Sequence, residues 1–86
     1  MVPPSFSLNA RADIFLFVTE LRITVNGDPR SVTGPATLAD LLQHLSLDPR
    51  AVVVEHNREI VRRPALEETP LRDGDLVELV HFVGGG

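Results

Sequence analysis

The chain has 86 residues, 43% of them hydrophobic, and a formal net charge of −4 at pH 7. This length suits one small domain, and the hydrophobic content is typical of a folded chain rather than a disordered one. The net negative charge argues against nucleic-acid binding, which needs a basic surface. The absence of cysteine excludes disulfides, thiol catalysis and thiolate metal sites.

Residues 1–20 are expected to form an N-terminal extension, either irregular or containing an extra strand. Pro3 and Pro4 indicate an irregular start, and residues 13–18, which contain the apolar run 14–18, are the candidate strand. That run is too short for a signal peptide core or a membrane span, so we expect a cytoplasmic protein. Val18 is also a candidate alternative start of translation.

The domain itself is predicted to occupy residues 21–86 and to begin with a hairpin and a helix. Residues 21–26 alternate between apolar and polar, which indicates a half-buried strand. Asn26-Gly27 favours a tight turn into a second short strand at residues 29–33. Thr37 is a candidate N-cap with Asp40 as its capping-box partner, and the helix should end near Ser46 or Leu47. Its apolar stripe is formed by Leu38, Leu41, Leu42 and Leu45.

The second half predicts three further strands, at residues 52–56, 59–61 and 76–83, and irregular chain with one helical turn at residues 62–70. Turns are expected at Asn57-Arg58 and at Asp73-Gly74-Asp75. The element order is hairpin, helix, strand pair, crossing segment and final strand. It predicts an α+β domain of the ubiquitin-like β-grasp type, with one main helix over a four- to five-stranded mixed sheet.

No internal active site is expected within this domain. His44, His56 and His81 are not at metal-binding spacing, and no nucleophile has a candidate base, so we predict neither a metal site nor an enzyme. By alternation His56 should be an inward histidine with its polar atoms satisfied. Asp73, Asp75 and Glu78 are expected to be ordinary solvated acids near the turn.

Two features predict binding to a partner. Val53, Val80 and Phe82 fall on strand faces opposite the helix, and a contiguous exposed apolar patch marks a docking surface. The alternative is that the N-terminal extension covers them. The second feature is the tail, residues 83–86, which should be a thin, mobile arm because glycine has no Cβ. Gly84 and Gly85 would let this arm thread a narrow channel and present the carboxylate of Gly86, although a frayed terminus is the simpler explanation.

The sequence resembles the ThiS family, the small sulfur carriers of thiamine thiazole biosynthesis. The resemblance rests on Asn-Arg-Glu-Ile-Val at residues 57–61 and on the run from Thr69 through Asp-Gly-Asp and His-Phe-Val to the final glycines. It covers residues 21–86. Two departures are the extra residues 1–20 and the order Arg62-Arg63-Pro64, where many members have Pro and then Arg directly after the Ile-Val pair.

The resemblance implies that a ThiF-type adenylyltransferase binds the domain and adenylates the Gly86 carboxylate with MgATP. A persulfide donor, such as a cysteine desulfurase, then supplies the sulfur of a C-terminal thiocarboxylate, which a ThiG-type thiazole synthase consumes. No stably bound cofactor is implied, nor a nucleic-acid or membrane partner. The competing interpretations are the small subunit of molybdopterin synthase, with the same chemistry, a ubiquitin-like protein modifier, and a plain β-grasp interaction module.

Overall fold

The structure, a computed structural model, describes residues 19–82. The predicted extra strand in residues 1–18 and the predicted mobile arm of residues 83–86 lie outside the described residues. The elements are β1 (Thr19–Val25), β2 (Asp28–Gly34), helix α1 (Leu38–His44), a 3₁₀ turn (Pro49–Ala51), β3 (Val52–His56), β4 (Glu59–Val61), a 3₁₀ helix (Arg63–Glu68) and β5 (Leu76–His81). β1 thus includes Thr19 and Glu20, two residues of the predicted N-terminal extension.

These strands form one five-stranded sheet in the order β2-β1-β5-β3-β4. β1 and β5 run parallel, and the other neighbours are antiparallel. This confirms the predicted mixed sheet with one main helix, the ubiquitin-like β-grasp arrangement. The last strand therefore lies in the centre of the sheet, between strands from the two halves of the chain.

Local turn chemistry explains how the two hairpins form. Asn26 and Gly27 both have positive φ, 51° and 85°, which is the backbone that a two-residue hairpin needs. Asn57 and Arg58 repeat this arrangement with φ values of 51° and 75°. The Asn26 side chain also accepts from the Leu79 amide at 2.7 Å and donates to the Leu79 carbonyl at 3.1 Å, so it ties the first hairpin to β5.

Helix α1 begins at the predicted cap. The Thr37 hydroxyl accepts a hydrogen bond from the Asp40 amide at 3.2 Å, and the Asp40 carboxylate accepts from the Thr37 amide at 2.8 Å. Asp therefore completes the capping box in place of the usual Glu or Gln. The helix ends at His44, earlier than predicted, because the chain turns at Ser46, whose φ is +59°.

The core lies between α1 and the sheet. Leu38, Leu41 and Leu42 are fully buried, whereas Leu45 is only partly buried against them. The rest of the core comes from inward strand positions and from the segments beside the helix: Leu21, Ile23, Val25, Val32, Ala36, Val52, Val54, Leu66, Leu71 and Val77. Each large side chain of this kind contributes about 1.5–3 kcal/mol by burial. The sheet thus has one face covered by α1 and one face turned away from it.

The prediction that Asp75 is a solvated acid is wrong. Only 6% of its surface is exposed, so it is a buried acid. Its carboxylate lies 2.7 Å from Nε2 of His56 and accepts from the Asn57 side chain at 3.1 Å and from the Arg72 amide at 2.8 Å. Burial raises the pKa of this carboxyl, but the hydrogen bonds from His56, Arg72 and Asn57 outweigh burial and hold the pKa below its usual range. The Nε2 atom of His56 thus has a hydrogen-bond partner, as predicted. The hydrogen bonds of Asp75 also fix the start of β5.

We expect Asp75→Asn to destabilise the domain by about 1.5–3 kcal/mol, because a buried charged acceptor is replaced by an amide whose NH₂ faces a donor. Since the folded pKa of Asp75 is depressed, its stabilising contribution is present above the unfolded value of about 3.9. That contribution is lost as the pH falls through the lower folded value. Denaturant unfolding measured from pH 7 to pH 3 should therefore show that the difference in free energy of unfolding between wild type and variant becomes smaller at the acidic end.

Glu68→Gln is the matched control for this experiment, because Glu68 is exposed and its substitution should shift stability by no more than about 0.5 kcal/mol. A variant at Asp75 with wild-type stability and an unchanged pH profile would contradict the role assigned to its hydrogen bonds.

Candidate docking face and C-terminal tail

The face of the sheet away from α1 carries the three predicted docking residues. Val53 of β3 and Val80 of β5 are directly paired across the two strands. Val53 is half-buried, whereas Val80 and Phe82 are 59% and 62% exposed. Their alternation with buried Val52, Val54 and Val77 places them on the outward side. The structure therefore brings the three residues together on one open surface.

Two further apolar residues extend this surface, and neither is among the predicted docking residues. Ile60 of β4 is 64% exposed and lines a shallow groove with Val53 and Phe82. Leu76, 42% exposed, lines a second depression with Val80. We call the five residues Val53, Ile60, Leu76, Val80 and Phe82 the apolar strip. The alternation of β5 already put Leu76 on the same side as Val80, but a three-residue β4 offers too little pattern to orient Ile60.

The apolar strip continues directly to the base of the tail. The Phe82 amide donates to the Ala51 carbonyl at 2.9 Å, one residue beyond the end of β5. Phe82 is also the last described residue, so Gly84, Gly85 and Gly86 lie outside the description. A partner that covers the strip would thus hold the chain at the point where the tail begins.

Basic side chains border the groove near Phe82. Arg50, Arg62 and Arg63 all contribute to its lining. Arg50 is paired with Asp48 at 3.0 Å, but both side chains are largely exposed, so this pair contributes little to stability. The border of the groove is therefore polar and solvated, whereas the strip beside it is apolar. Protein interfaces usually have this arrangement of a polar rim around an apolar centre.

Within residues 19–82, no group of three or more His, Asp or Glu side chains is arranged to hold a metal ion. In the same part of the chain no helix is long and apolar enough to cross a membrane.

Comparisons with known proteins agree on one family. The ThiS family model matches residues 23–86. The sulfur carrier protein ThiS of Bacillus subtilis is 46% identical over 65 residues, which cover 74% of this chain and 98% of that protein. The crystal structure of the thiamine biosynthesis protein ThiS from Geobacter metallireducens superposes with a TM-score of 0.67 at 39% identity, covering 77% of this chain and all of that one.

The chain also resembles part of two much longer proteins. It is 38% identical over 66 residues to the thiazole synthases of Paramagnetospirillum magneticum and Magnetococcus marinus. The chain spans only 20% of the length of each, so this likeness concerns a segment of those proteins. The family model and the full-length ThiS relatives cover nearly all of the β-grasp domain described above. This chain therefore belongs to the ThiS family.

Proposed function

We propose that this chain is a sulfur carrier protein for the thiazole moiety of thiamine, with the sulfur attached at Gly86. The observation that carries the proposal is the ThiS family match, which runs through Gly86. The exposed apolar strip at the base of the tail supports it, because a carrier must be held by the enzymes that act on its end. The proposal requires Gly86 to bear a free α-carboxylate.

The first step is adenylation by a ThiF-type adenylyltransferase with MgATP. A carboxylate oxygen of Gly86 attacks the α-phosphorus of ATP, the bond from that phosphorus to the bridging oxygen breaks, and pyrophosphate leaves. The product is a mixed anhydride, the acyl-adenylate. Adenylation is needed because a free carboxylate is a poor electrophile.

The second step places sulfur on the same carbon. A persulfide, for example on a cysteine desulfurase, attacks the acyl carbon and AMP leaves, giving an acyl disulfide. A thiol then reduces the sulfur–sulfur bond, which releases the thiocarboxylate and a new disulfide. Inorganic sulfide can replace AMP directly and needs no reductant, which makes it a convenient sulfur source in vitro.

Docking through the apolar strip offsets the cost of ordering the tail. Fixing the backbone of each tail residue costs about 1–2 kcal/mol. Burying Val53, Val80 and Phe82 against a partner would recover part of that cost, because each is exposed or half-buried in the free protein. Gly84 and Gly85 have no side chain, so the tail can pass through a channel that other residues would block.

The family assignment favours the thiazole pathway over the molybdopterin pathway and over protein modification. The likeness to segments of two thiazole synthases supports a ThiG-type enzyme as the acceptor of the sulfur. In this scheme the chain is a co-substrate of its partners rather than an enzyme. It works in the cytoplasm, where MgATP and thiols are available, and residues 1–18 are an addition to the carrier domain, since Thr19 and Glu20 belong to β1.

Intact-mass spectrometry tests this function. The purified chain is incubated with the ThiF-type adenylyltransferase of the same organism, MgATP and sodium sulfide. We expect the mass to rise by the exchange of one oxygen for one sulfur, and only when ATP is present. Before incubation, the same measurement shows whether the chain ends at Gly86. The activity of the adenylyltransferase is first checked with a ThiS protein from another organism. If the enzyme adenylates that protein but the mass of this chain does not change, the proposal is rejected.

A further inference from the structure

Two glutamates face each other on the same sheet surface as the apolar strip. Glu55 of β3 pairs directly with Glu78 of β5, and the next pair on the same face of these strands is Val53 with Val80. Side chains that are directly opposite in a sheet have Cβ atoms about 4.5–5.5 Å apart. Both carboxylates line the depression that also contains Leu76 and Val80. Negative charge is therefore concentrated inside the apolar strip.

This arrangement is unfavourable in the free protein. Like charges directly opposite in a sheet destabilise it. Within residues 19–82 the only salt bridges are Arg50–Asp48 and His56–Asp75, so neither glutamate has an ion-pair partner there. Arg58 lines the same depression but makes no salt bridge with either carboxylate. The described part of the chain thus leaves two adjacent carboxylates without compensation on an open surface.

We infer that the partner docked on the apolar strip presents an arginine or lysine to the Glu55–Glu78 pair. This inference rests on the proposed function, in which that partner is the adenylyltransferase. A guanidinium has enough donors to serve both carboxylates, and such charge-assisted bonds are stronger than neutral ones. The surrounding apolar contacts would exclude water and strengthen the attraction. The partner surface is therefore apolar with a basic centre.

The charge pair would fix the orientation of the carrier. Apolar contacts are non-directional, so the strip alone allows several docked orientations. An arginine that is hydrogen-bonded to both carboxylates allows few docked orientations, because its planar guanidinium has fixed donor directions. Glu78 lies four residues before Phe82, about 13 Å along the strand from the base of the tail, and eight residues before Gly86 in the sequence. The glutamates should therefore affect binding and not the chemical step.

The experiment measures the affinity of the ThiF-type adenylyltransferase for wild type, Glu55→Gln, Glu78→Gln and the double variant. We expect about a tenfold loss of affinity for each single variant. In ATP–pyrophosphate exchange, the KM for the carrier should rise while kcat at saturation stays unchanged. The melting temperature should not fall, and should rise if repulsion is relieved, so that a folding defect cannot explain weaker binding. The affinity of the double variant should also depend less on salt than that of wild type.

The matched control is the Glu67→Gln, Glu68→Gln double variant, which removes two adjacent exposed carboxylates away from the sheet surface. If wild type is adenylated normally and the glutamate variants bind as tightly as this control, the inference fails while the proposed function stands. If wild type is not adenylated at all, the proposed function itself is rejected, and the inference is rejected with it. Sedimentation of wild type as a dimer that the glutamate variants disrupt would also overturn the inference, because a second copy would then occupy the surface.

Discussion

Deletion of Gly86 should abolish acyl-adenylate and thiocarboxylate formation while leaving the fold and docking intact. The shortened chain still ends in two glycines, Gly84 and Gly85, so the experiment separates the length of the tail from its composition. The deletion withdraws the carboxylate by one residue, or about 3.3–3.6 Å of reach. A misplacement of reacting groups of about 1 Å can already cost about a hundredfold in rate, so the loss should be nearly complete.

The measurements are ATP–pyrophosphate exchange with the purified adenylyltransferase and intact mass after the addition of sulfide. Affinity for the enzyme should stay close to that of wild type, because the apolar strip is unchanged. Gly85→Val should also fail, since a β-branched side chain stiffens the arm and blocks a narrow channel. Undiminished exchange by the Gly86 deletion would show that the enzyme does not hold the carboxylate at a fixed distance from the domain.

Phe82→Ala should weaken binding to the adenylyltransferase by about 2 kcal/mol, which is roughly thirtyfold in Kd. Phe82 combines a large, mostly exposed ring with a position at the base of the tail. The hydrogen bond from its amide to the Ala51 carbonyl involves the backbone alone and remains available to alanine. The stability of the domain should therefore change by less than about 0.5 kcal/mol.

Titration calorimetry with the purified enzyme measures this effect, and thermal unfolding checks the fold. Gln43→Ala is the control, because Gln43 is exposed on α1, on the opposite side of the sheet. Equal affinities of Phe82→Ala and Gln43→Ala would show that the outward face of the sheet is not the docking surface.

Much of the candidate docking face could be predicted because strand alternation is a local property. Side chains at i and i+2 share a face, so the buried set Val52, Val54 and Val77 determines that Val53, Val80 and Phe82 point outward. The hairpin turns were equally local, since Asn26-Gly27 tolerates the positive φ that the turn needs. For the tail, the sequence supplied all of the information, because residues 83–86 lie outside the described structure.

What the sequence determined by itself was therefore the main helix and the five strands, both hairpin turns, the helix N-cap, and the inward side of β1, β3 and β5. What only the tertiary structure decided was which strands are neighbours. β5 lies between β1 and β3, and this placement sets Glu78 opposite Glu55. It also brings Asp75 within hydrogen-bond distance of His56 and Asn57. The physical reason is that these contacts join residues roughly twenty positions apart, and their register depends on how the sheet closes over its core, which no local pattern encodes.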